Sequence, residues 1–432
     1  MKYYNEGIET LSRSQLENLQ GELLKKMVAY VYERVPFYRA KMDATKVKPA
    51  DIKSIRDIVK LPFTEKTDLR DNYPFGMFAV SQNEVVRVHA SSGTTGKLTV
   101  VGYTKSDIDM WAEAAARSLT MAGVTAESTV HIAYGYGMFT GGLGVHYGAE
   151  KIGARVVPAS SGNTARQLQL LKDFEATTLC CTPSYAAYLA ESLKSNGYDI
   201  KDFKLKSGVF GAEPWTEAMR GHIQKSLNLR AFDIYGLSEI TGPGVSMECE
   251  FQNGLHVWED LFYPEILDAE LNPVPGGTQG ELVFTTLAKE AIPLIRYRTR
   301  DLCTLDTSAC KCGRTHARMG KLLGRTDDML IIRGVNLFPS QIEAALLAQG
   351  YVSPNYHLLV SRVDNTDVLE VQVELSDGMF SDEVKKLEKL RADIIKKIFS
   401  VTGLNVLVRF FNPGSLPRSE GKAARVTDTR KI

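Results

Sequence analysis

A short run of small and hydroxyl-bearing residues is the first feature that could do chemistry. It consists of Ser91, Ser92, Gly93, Thr94, Thr95, Gly96 and Lys97, between an apolar run at 85–90 and a β-rich run at 98–103. Glycines let the backbone approach a ligand closely, and hydroxyls with exposed N–H groups suit a polyphosphate. The run is not the P-loop of ordinary NTPases, which needs Gly, four residues and Gly-Lys-Ser/Thr before a helix. These residues alone leave phosphate binding and a flexible Ser/Thr-rich turn equally open.

Polar residues also follow two apolar runs that we predict to be buried strands. The first set is Gly211, Ala212 and Glu213, and the second is Asp233, Tyr235, Gly236, Ser238 and Glu239. In an α/β sheet, ligands bind at the carboxyl ends of the strands. A tyrosine ring there can stack on a base, a serine can contact a phosphate, and a carboxylate can hold Mg²⁺.

Three charged segments lie nearer the C-terminus. Asp301 ends a Tyr-Arg-Thr-Arg-Asp run, and its carboxylate could take both hydroxyls of a ribose. Arg325 lies in a Gly-Arg-Thr-Asp-Asp run, and Lys422 lies in a polar segment that could carry a cation into a site. Each piece alone is common on protein surfaces, so only their combination and order point to a function.

Four residues have the types and spacing of a zinc site. Cys249 and His256 are separated by six residues, and Cys310 and Cys312 form a Cys-Lys-Cys-Gly knuckle. Three thiolates and one imidazole make a closed tetrahedral site, which would join the two ends of a β-rich segment. The alternative is a set of reduced, metal-free cysteines in an exposed turn. Free thiols in such a turn are a liability, which favours zinc.

The composition bounds the class of protein. With 432 residues, the chain is long for one core and indicates two or three domains. A net charge of +1 gives no field that would draw the protein to nucleic acid or to an anionic membrane. No apolar run is long enough to span a bilayer, and the N-terminus lacks the apolar segment of a signal peptide. We therefore expect a cytoplasmic protein.

The periodicity predicts an α/β fold with two domains. Helical spacing covers most of 9–45, and between 129 and 235 apolar strands alternate with helical segments, which favours a layered α/β domain. Residues 255–310 are rich in strands and turns and indicate a smaller β subdomain or an extension of the sheet. We place a boundary at 325/326, with a large layered N-terminal domain in 1–325 and a small α+β domain in 326–432.

Taken together and in this order, the motifs resemble those of the adenylate-forming superfamily of acyl-CoA synthetases, luciferases and adenylation domains. The closer resemblance is to the phenylacetate–CoA ligase family. It rests on the 91–97 run, Trp258-Glu259-Asp260, Tyr263-Pro264-Glu265, Arg333-Gly334-Val335-Asn336-Leu337-Phe338-Pro339 and the tail at 417–426. It covers nearly the whole chain and implies an N-terminal domain that binds ATP and the acid, with a mobile C-terminal domain.

The resemblance implies how the phosphates and the acid carboxylate are handled. The 91–97 run would close over the ATP phosphates, and Ser238 would contact the α-phosphate. Glu239 would hold Mg²⁺. Lys422 would bridge the acid carboxylate and the α-phosphate during adenylation.

The adenosine and CoA residues are implied in the same way. Adenosine would be bound by Gly211, Ala212, Glu213, Asp233, Tyr235, Gly236, Asp301 and Arg325, with Tyr235 stacked on the base and Asp301 on the ribose. Asp327 would be the hinge, and the turn of Arg333 and Gly334 would meet the pantetheine arm of CoA. Many superfamily members have arginine where Asn336 stands, which puts a phosphate contact there in doubt. A homodimer is implied by the resemblance alone.

The pocket for the acid is expected among aromatic and glycine residues at 134–142. Tyr136 and Phe139 offer flat surfaces for an aryl group, and the neighbouring glycines make room for it. Ile240 follows Glu239 and is expected near the carboxylate end. The alternative is that these aromatics are plain core.

These observations favour an AMP-forming aryl-acid–CoA ligase. Phenylacetate is the leading substrate, with indoleacetate or a hydroxylated phenylacetate close behind. ATP, Mg²⁺ and CoA are the implied small molecules, without a nucleic-acid or membrane partner. A second possibility is transfer of the acyl group to a carrier protein, which CoA-independent thioester formation would show. A third is a non-catalytic nucleotide sensor, which Lys422 and Glu239 disfavour and ATP binding without pyrophosphate release would support.

Overall fold

The computed structural model describes residues 2–91, 98–326, 329–333, 335–347, 352–363, 366–375, 384–418 and 424–430. Its helices are α1 (Glu6–Glu9), α2 (Arg13–Arg34), α3 (Pro36–Ala44), α4 (Lys66–Asp71), α5 (Lys105–Met121), α6 (Gly141–Ile152), α7 (Thr164–Asp173), α8 (Pro183–Ser195), α9 (Glu217–Leu227), α10 (Pro339–Leu347) and α11 (Val384–Thr402). Its strands are β1 (Arg87–Ser91), β2 (Thr99–Tyr103), β3 (Thr129–Ile132), β4 (Arg155–Val157), β5 (Thr178–Cys181), β6 (Ser207–Gly211), β7 (Arg230–Leu237), β8 (Gly242–Glu248), β9 (Leu255–Val257), β10 (Phe262–Leu267), β11 (Gly280–Thr286), β12 (Tyr297–Cys303), β13 (Leu305–Asp306), β14 (Arg318–Met319), β15 (Gly324–Arg325), β16 (Leu330–Ile332), β17 (Val335–Leu337), β18 (Val352–Val363), β19 (Thr366–Leu375), β20 (Leu407–Phe411) and β21 (Val426–Asp428).

The chain forms two compact units. The first unit comprises Met1–Cys180, Phe203–Ala212 and Phe232–Lys321, and the second comprises Cys181–Asp202, Glu213–Ala231 and Leu322–Ile432. Neither unit is continuous in the chain. α8 and α9, from the middle of the sequence, belong to the second unit together with the C-terminal residues. The division of the chain at 325/326 stays a prediction.

The helical stretch near the N-terminus is divided at a proline. α2 begins after Ser12, whose hydroxyl and backbone N–H form a reciprocal capping box with Gln15. Pro36 has no N–H to donate to the preceding turn, so α2 ends at Arg34. The same proline suits the first turn of α3, where its missing N–H costs nothing.

The main sheet lies in the first unit. Among the described residues its strand order is β13-β14-β9-β8-β7-β6-β5-β3-β4. β3 pairs in parallel with β4 and β5, as the alternation of strands and helices predicted. β7, β8 and β9 are antiparallel to one another.

The β-rich segment divides between two sheets. β9, β13 and β14 extend the main sheet, whereas β10, β11 and β12 pair antiparallel within a second sheet. Both alternatives left open for residues 255–310 are therefore realised. β11 is buried along its whole length, which makes this second sheet a part of the core of the first unit.

The second unit has its own sheet in the C-terminal third of the chain. Its described strands have the order β20-β19-β18-β21, with β18 and β19 antiparallel. Apolar residues of these strands pack with those of α10 and α11 in one core. β21 was not expected, because the sequence there was interpreted as a polar tail. It forms through parallel pairing with β18 and not through any apolar periodicity of its own.

No helix among the residues described is both long and apolar enough to cross a membrane.

Candidate active site

A tight turn after β7 carries the side chains that were assigned to phosphate and to metal. β7 ends at Leu237, whose carbonyl accepts two backbone N–H bonds that close the turn. The chain passes so close to β8 that a Cβ on Gly236 would lie 1.9 Å from the carbonyl oxygen of Gly242. Only glycine therefore fits at position 236. The turn places Ser238 and Glu239 at the carboxyl end of a strand of the main sheet.

Ser238 is paired with a second buried hydroxyl. Its Oγ lies 2.9 Å from Oγ1 of Thr140, the residue that precedes α6. A hydroxyl has one proton and two lone pairs, so this bond orients Ser238 and leaves capacity for a ligand oxygen. The sequence analysis did not find Thr140, since a threonine at the start of a helix is common for capping alone.

Glu239 has a cationic partner from a distant part of the chain. Its Oε1 lies 3.2 Å from Nζ of Lys66, the first residue of α4. Glu239 is buried, with 5% of its surface exposed. An unpaired carboxylate at that depth would be costly, and Lys66 offsets its charge. The sequence carries little signal for this contact, because Lys66 stands in an ordinary helix start.

A second lysine holds the backbone of the same turn. Lys289 is completely buried, and its Nζ donates to the carbonyls of Glu239 at 3.2 Å and Ile240 at 2.9 Å. The ammonium lies 4.9 Å from the centre of the Tyr103 ring. Burial lowers the pKa of Lys289 to about 8, against the opposing charges of Asp107 and Glu239. Lys289 thus holds the backbone of the turn through two hydrogen bonds, a role that the sequence analysis did not predict.

Two of the residues assigned to adenosine are in direct contact in the first unit. The hydroxyl of Tyr235 donates to Oδ2 of Asp301 at 2.6 Å, although the two residues belong to different sheets. Phe284 stacks on the Tyr235 ring, with 6.3 Å between ring centres. Asp233 donates its backbone N–H to Glu248 at 2.8 Å. The hydrogen bond fixes the Tyr235 ring and the Asp301 carboxylate next to each other, and their roles toward a base and a ribose stay predictions.

The neighbouring strand ends with a sharp change of direction. A Cβ on Gly211 would lie 2.1 Å from the carbonyl oxygen of Ile234 on β7, so β6 and β7 can approach only with glycine there. Ala212 has a left-handed backbone, with φ of 72°. In the second unit, Glu213 accepts the backbone N–H of Ser184 at 2.7 Å, at the start of α8. Strain of this kind is typical of ligand loops.

The residues expected around the acid have different environments. Phe139 is 42% exposed and is therefore not plain core. Tyr136 is half-buried, its hydroxyl lies 3.2 Å from Nδ1 of His146, and burial raises its pKa. Ile240 is fully buried. An acid site at these residues stays a prediction.

Several assigned residues fall outside the part of the chain that the structure describes: Ser92, Gly93, Thr94, Thr95, Gly96, Lys97, Asp327, Gly334 and Lys422, together with the side chain of Ser91. Arg325 lies on β15 in the second unit. Arg333 has a left-handed backbone, with φ of 51°, and its guanidinium donates to the carbonyl of Asn405.

The proposed zinc ligands form a compact cluster in the first unit. The ligand atoms of Cys249, His256, Cys310 and Cys312 all lie within 4.8 Å of one another. Sγ of Cys249 is 3.8 Å from Sγ of Cys310, and Sγ of Cys312 is 3.3 Å from Nε2 of His256. The other ring nitrogen of His256 lies 3.1 Å from the carbonyl of His316, which orients the imidazole.

The donor set fits a tetrahedral metal. Zn–S bonds of about 2.3 Å at tetrahedral angles place two sulfurs roughly 3.8 Å apart, the spacing found between Cys249 and Cys310. The pKa of the Cys312 thiol is lowered, chiefly by hydrogen bonds with Cys249 and His256. A lower pKa favours the thiolate, which is the form that binds a metal. The cluster can hold a metal, whereas its chemistry gives it no place in catalysis, since four protein ligands leave no open position.

Fold and site together define an adenylate-forming enzyme. The sequence model of the AMP-binding enzyme family matches residues 12–287, and that of the AMP-binding enzyme C-terminal domain matches 334–430. Among solved structures, 2-hydroxyisobutyryl-CoA ligase in its postadenylation state superposes with a TM-score of 0.94, at 29% identity over 100% of this chain and 93% of that chain. The same ligase in its thioesterification state, in complex with 2-HIB-AMP and CoA, superposes with a TM-score of 0.74. Its sequence is 30% identical, and the match covers 99% of this chain and 92% of that chain. The fold is mixed α/β, with a sheet-rich N-terminal domain and a C-terminal α+β domain.

The sequence relatives are more specific. A phenylacetate–coenzyme A ligase of Thermus thermophilus is 53% identical over 99% of this chain and 100% of its own length. A phenylacetate–coenzyme A ligase of Escherichia coli is 51% identical over 98% of this chain and 97% of its own length. The chain belongs to the phenylacetate–CoA ligase family and is an AMP-forming acid–CoA ligase, as the sequence motifs predicted.

Proposed function

We propose that this ligase activates phenylacetate. ATP and the acid give phenylacetyl-adenylate and pyrophosphate, and CoA then displaces AMP to give phenylacetyl-CoA. The observation that carries the proposal is the end of β7. Tyr235 is hydrogen-bonded there to Asp301, and Ser238 and Glu239 follow Tyr235 closely in the chain. The curated relatives at 49–53% identity, all described as phenylacetate–CoA ligases, support the choice of acid.

The residues fit the demands of the first half-reaction. A carboxylate resists nucleophiles, so the enzyme makes it the attacker at the α-phosphorus and thereby installs AMP as a leaving group. This step needs positioning and countercharge more than covalent help. The Ser238 hydroxyl contacts the α-phosphate, and Lys422 brings a positive charge to both reacting groups. Glu239 would hold Mg²⁺, which supplies charge neutralisation on the phosphates when bound.

The nucleotide and the acid occupy different sides of the same turn. Tyr235 stacks on the adenine and Asp301 binds the ribose, with the 91–97 run over the phosphates. Tyr136 and Phe139 flank the aryl ring, and Ile240 packs near its carboxylate end. The exposed ring of Phe139 is consistent with an aryl-binding surface that a substrate covers.

The second half-reaction uses the C-terminal domain. We propose that residues 326–432 rotate about Asp327, so that Lys422 serves adenylation and the turn of Arg333 and Gly334 meets pantetheine. Conformational steps of this kind are common where two half-reactions share one site. A homodimer and a cytoplasmic location complete the proposal. Light scattering on purified protein and cell fractionation test these two points directly.

The test is AMP release from ATP across a panel of acids. With CoA present, we expect phenylacetate to be preferred over benzoate and short fatty acids. Lys422→Ala should lower adenylate formation about a hundredfold or more, as the loss of one preorganised charge does, and should leave thioester formation from supplied phenylacetyl-adenylate largely intact. Equal loss of both half-reactions would contradict the role of Lys422. AMP release that no acid stimulates would contradict the whole proposal.

We also propose that the Cys/His cluster binds a structural zinc ion. Support comes from the sulfur spacing and from the oriented imidazole of His256. Elemental analysis should find about one zinc per chain, and Cys312→Ser should lose it together with thermal stability. The matched control is Cys303→Ser, at a buried cysteine outside the cluster, which should keep the metal. A metal-free wild-type protein of unchanged stability would contradict the zinc site.

A further inference from the structure

A bulge in β12 carries Asp301, the residue proposed to bind the ribose of ATP. Where the regular pairing with β11 is interrupted, Leu282 lies opposite residues 299–301 of β12. Arg300, in the middle of this bulge, has a left-handed backbone, with φ of 67°. A bulge of this kind turns a side chain in a new direction and interrupts the hydrogen bonds between the strands. The direction of the Asp301 carboxylate thus depends on what holds the bulge.

The hydroxyl of Thr299 bridges the two strands at the bulge. It donates to the carbonyl of Leu282 at 2.7 Å and accepts the backbone N–H of Asp301 at 3.0 Å. Thr299 is 3% exposed, and a threonine hydroxyl can donate one hydrogen bond while it accepts another. Buried backbone groups that lose a partner destabilise the structure, so both bonds constrain the chain. The hydroxyl therefore fixes the backbone of Asp301 relative to β11.

Ion pairs hold the residues on either side of Thr299. Arg298 forms a bidentate pair with Glu281, at 3.0 and 2.7 Å. Arg298 and Arg300 also donate to the two carboxylate oxygens of Glu65, at 2.9 and 3.1 Å. Bidentate and shared pairs of this kind are geometrically specific. They should keep β12 in place when the Thr299 hydroxyl is removed, so that the loss acts on Asp301 and not on the whole strand.

We propose that Thr299 is a positioning residue for recognition of the ribose. Its hydroxyl holds the bulge so that the Asp301 carboxylate meets the 2′- and 3′-hydroxyls of ATP, while Tyr235 donates to one carboxylate oxygen at 2.6 Å. Hydrogen bonds weaken steeply when donor and acceptor are misaligned, so a small shift of the Asp301 backbone weakens its bonds to a ligand. The inference rests on the role proposed for Asp301 and adds the residue that directs its carboxylate.

The test compares ATP with 2′,3′-dideoxy-ATP, which lacks both ribose hydroxyls, in phenylacetate-dependent pyrophosphate release by the full-length enzyme. Thr299→Val keeps the shape of the side chain and removes its hydroxyl. We expect kcat/KM with ATP to fall about tenfold, the scale of one hydrogen bond to a charged group, and kcat/KM with the dideoxy analogue to stay within about twofold of wild type. Thr299→Ala should lose the preference for ATP in the same way. Thr299→Ser, which retains the hydroxyl, should keep it.

The matched control is Thr286→Val, at the end of β11. Thr286 is also buried, and its hydroxyl also donates to a carbonyl and accepts a backbone N–H, both of Leu294, at 3.3 and 2.9 Å. Its loss should lower the free energy of unfolding as Thr299→Val does, without changing the preference for ATP over the dideoxy analogue. Urea titrations measure the free energy of unfolding of each variant.

The possible outcomes distinguish this inference from the proposed function. Equal loss of activity with both nucleotides in Thr299→Val, or an unchanged preference for ATP, would overturn the positioning role. Asp301→Ala tests the role of Asp301 by itself. If Asp301→Ala loses the preference while Thr299→Val and Thr299→Ala keep it, the inference is wrong and the proposed function stands. A preference for ATP that survives in Asp301→Ala would contradict the role proposed for Asp301 and remove the basis of the inference.

Discussion

The Nζ of Lys66 lies 3.2 Å from a carboxylate oxygen of Glu239, the residue proposed to hold Mg²⁺. Lys66 comes from α4 and Glu239 from the turn after β7, so the pair exists only through the fold. The side chain of Lys66 is 35% exposed and can move away, whereas that of Glu239 is 7% exposed. A metal at Glu239 would thus compete with an ammonium group for the same carboxylate.

This competition predicts an unusual effect of Lys66→Met. Without the ammonium group, Glu239 should bind Mg²⁺ more readily, and the Mg²⁺ concentration for half-maximal pyrophosphate exchange should fall roughly fivefold, the scale of a partly exposed ion pair. Lys105→Met, at an exposed lysine on α5, is the control. A Mg²⁺ requirement that stays the same or rises in Lys66→Met would show that Lys66 does not compete with the metal.

The closeness of β7 and β8 predicts opposite effects of one substitution at two glycines. In Gly236→Ala, the new Cβ would lie 1.9 Å from a backbone carbonyl that cannot move aside as a side chain could. We expect the turn with Ser238 and Glu239 to shift and adenylation to fall about a hundredfold or more. Gly221→Ala, in α9, meets no atom within 4 Å and should raise the free energy of unfolding by up to about 1 kcal/mol. Pyrophosphate exchange and urea unfolding check both, and a fully active Gly236→Ala enzyme would contradict the turn geometry.

The bond between Tyr235 and Asp301 predicts a graded loss of ATP affinity. Tyr235→Phe keeps the ring that stacks on Phe284 and removes the hydroxyl that donates to Asp301. A hydrogen bond to a charged group contributes about 1.5–3 kcal/mol, so KM for ATP should rise tenfold or more with KM for phenylacetate unchanged. Tyr235→Ala removes the ring as well and should raise KM for ATP further. Equal KM values for ATP in wild type and both variants would exclude a nucleotide role for Tyr235.

A buried histidine predicts that stability falls in mild acid. His131 on β3 is fully buried, its Nε2 lies 2.5 Å from Oε1 of Gln167, and burial lowers its pKa to about 4. In the unfolded chain a histidine binds a proton near pH 6.5. Between these values the unfolded state holds the extra proton, so the free energy of unfolding decreases as pH falls from 6.5 towards 4.

The size of this effect can be isolated by a difference between variants. From pH 7 to pH 5, the wild-type free energy of unfolding should fall by about 2 kcal/mol more than that of His131→Leu. Urea titrations at the two pH values measure it. His357→Leu, at a half-buried histidine of β18, should retain the wild-type dependence. The same pH dependence in His131→Leu and wild type would show that another group is responsible.

Local patterns determined much of what the sequence revealed. Strands and helices between 129 and 235 alternate as predicted, because periodicity and turn residues are properties of a few neighbouring positions. The Cys/His cluster was likewise visible from residue types and spacing, and the structure brings its four members together. Ser238 and Glu239 were predicted as site residues because polar residues at a strand end interrupt an apolar pattern.

The tertiary structure alone decided which distant groups meet at the site. No sequence pattern predicts the three contacts that hold the turn after β7, since a threonine or a lysine in a helix start or loop is common. They join Thr140 to Ser238, Lys66 to Glu239, and Lys289 to the backbone of the turn. Edge pairings were equally hidden, as with β21 in a tail that had been interpreted as polar. Such contacts depend on which surfaces the folded chain brings together. Residue types and their local spacing therefore identified the chemistry, whereas long-range packing determined the partners that orient it.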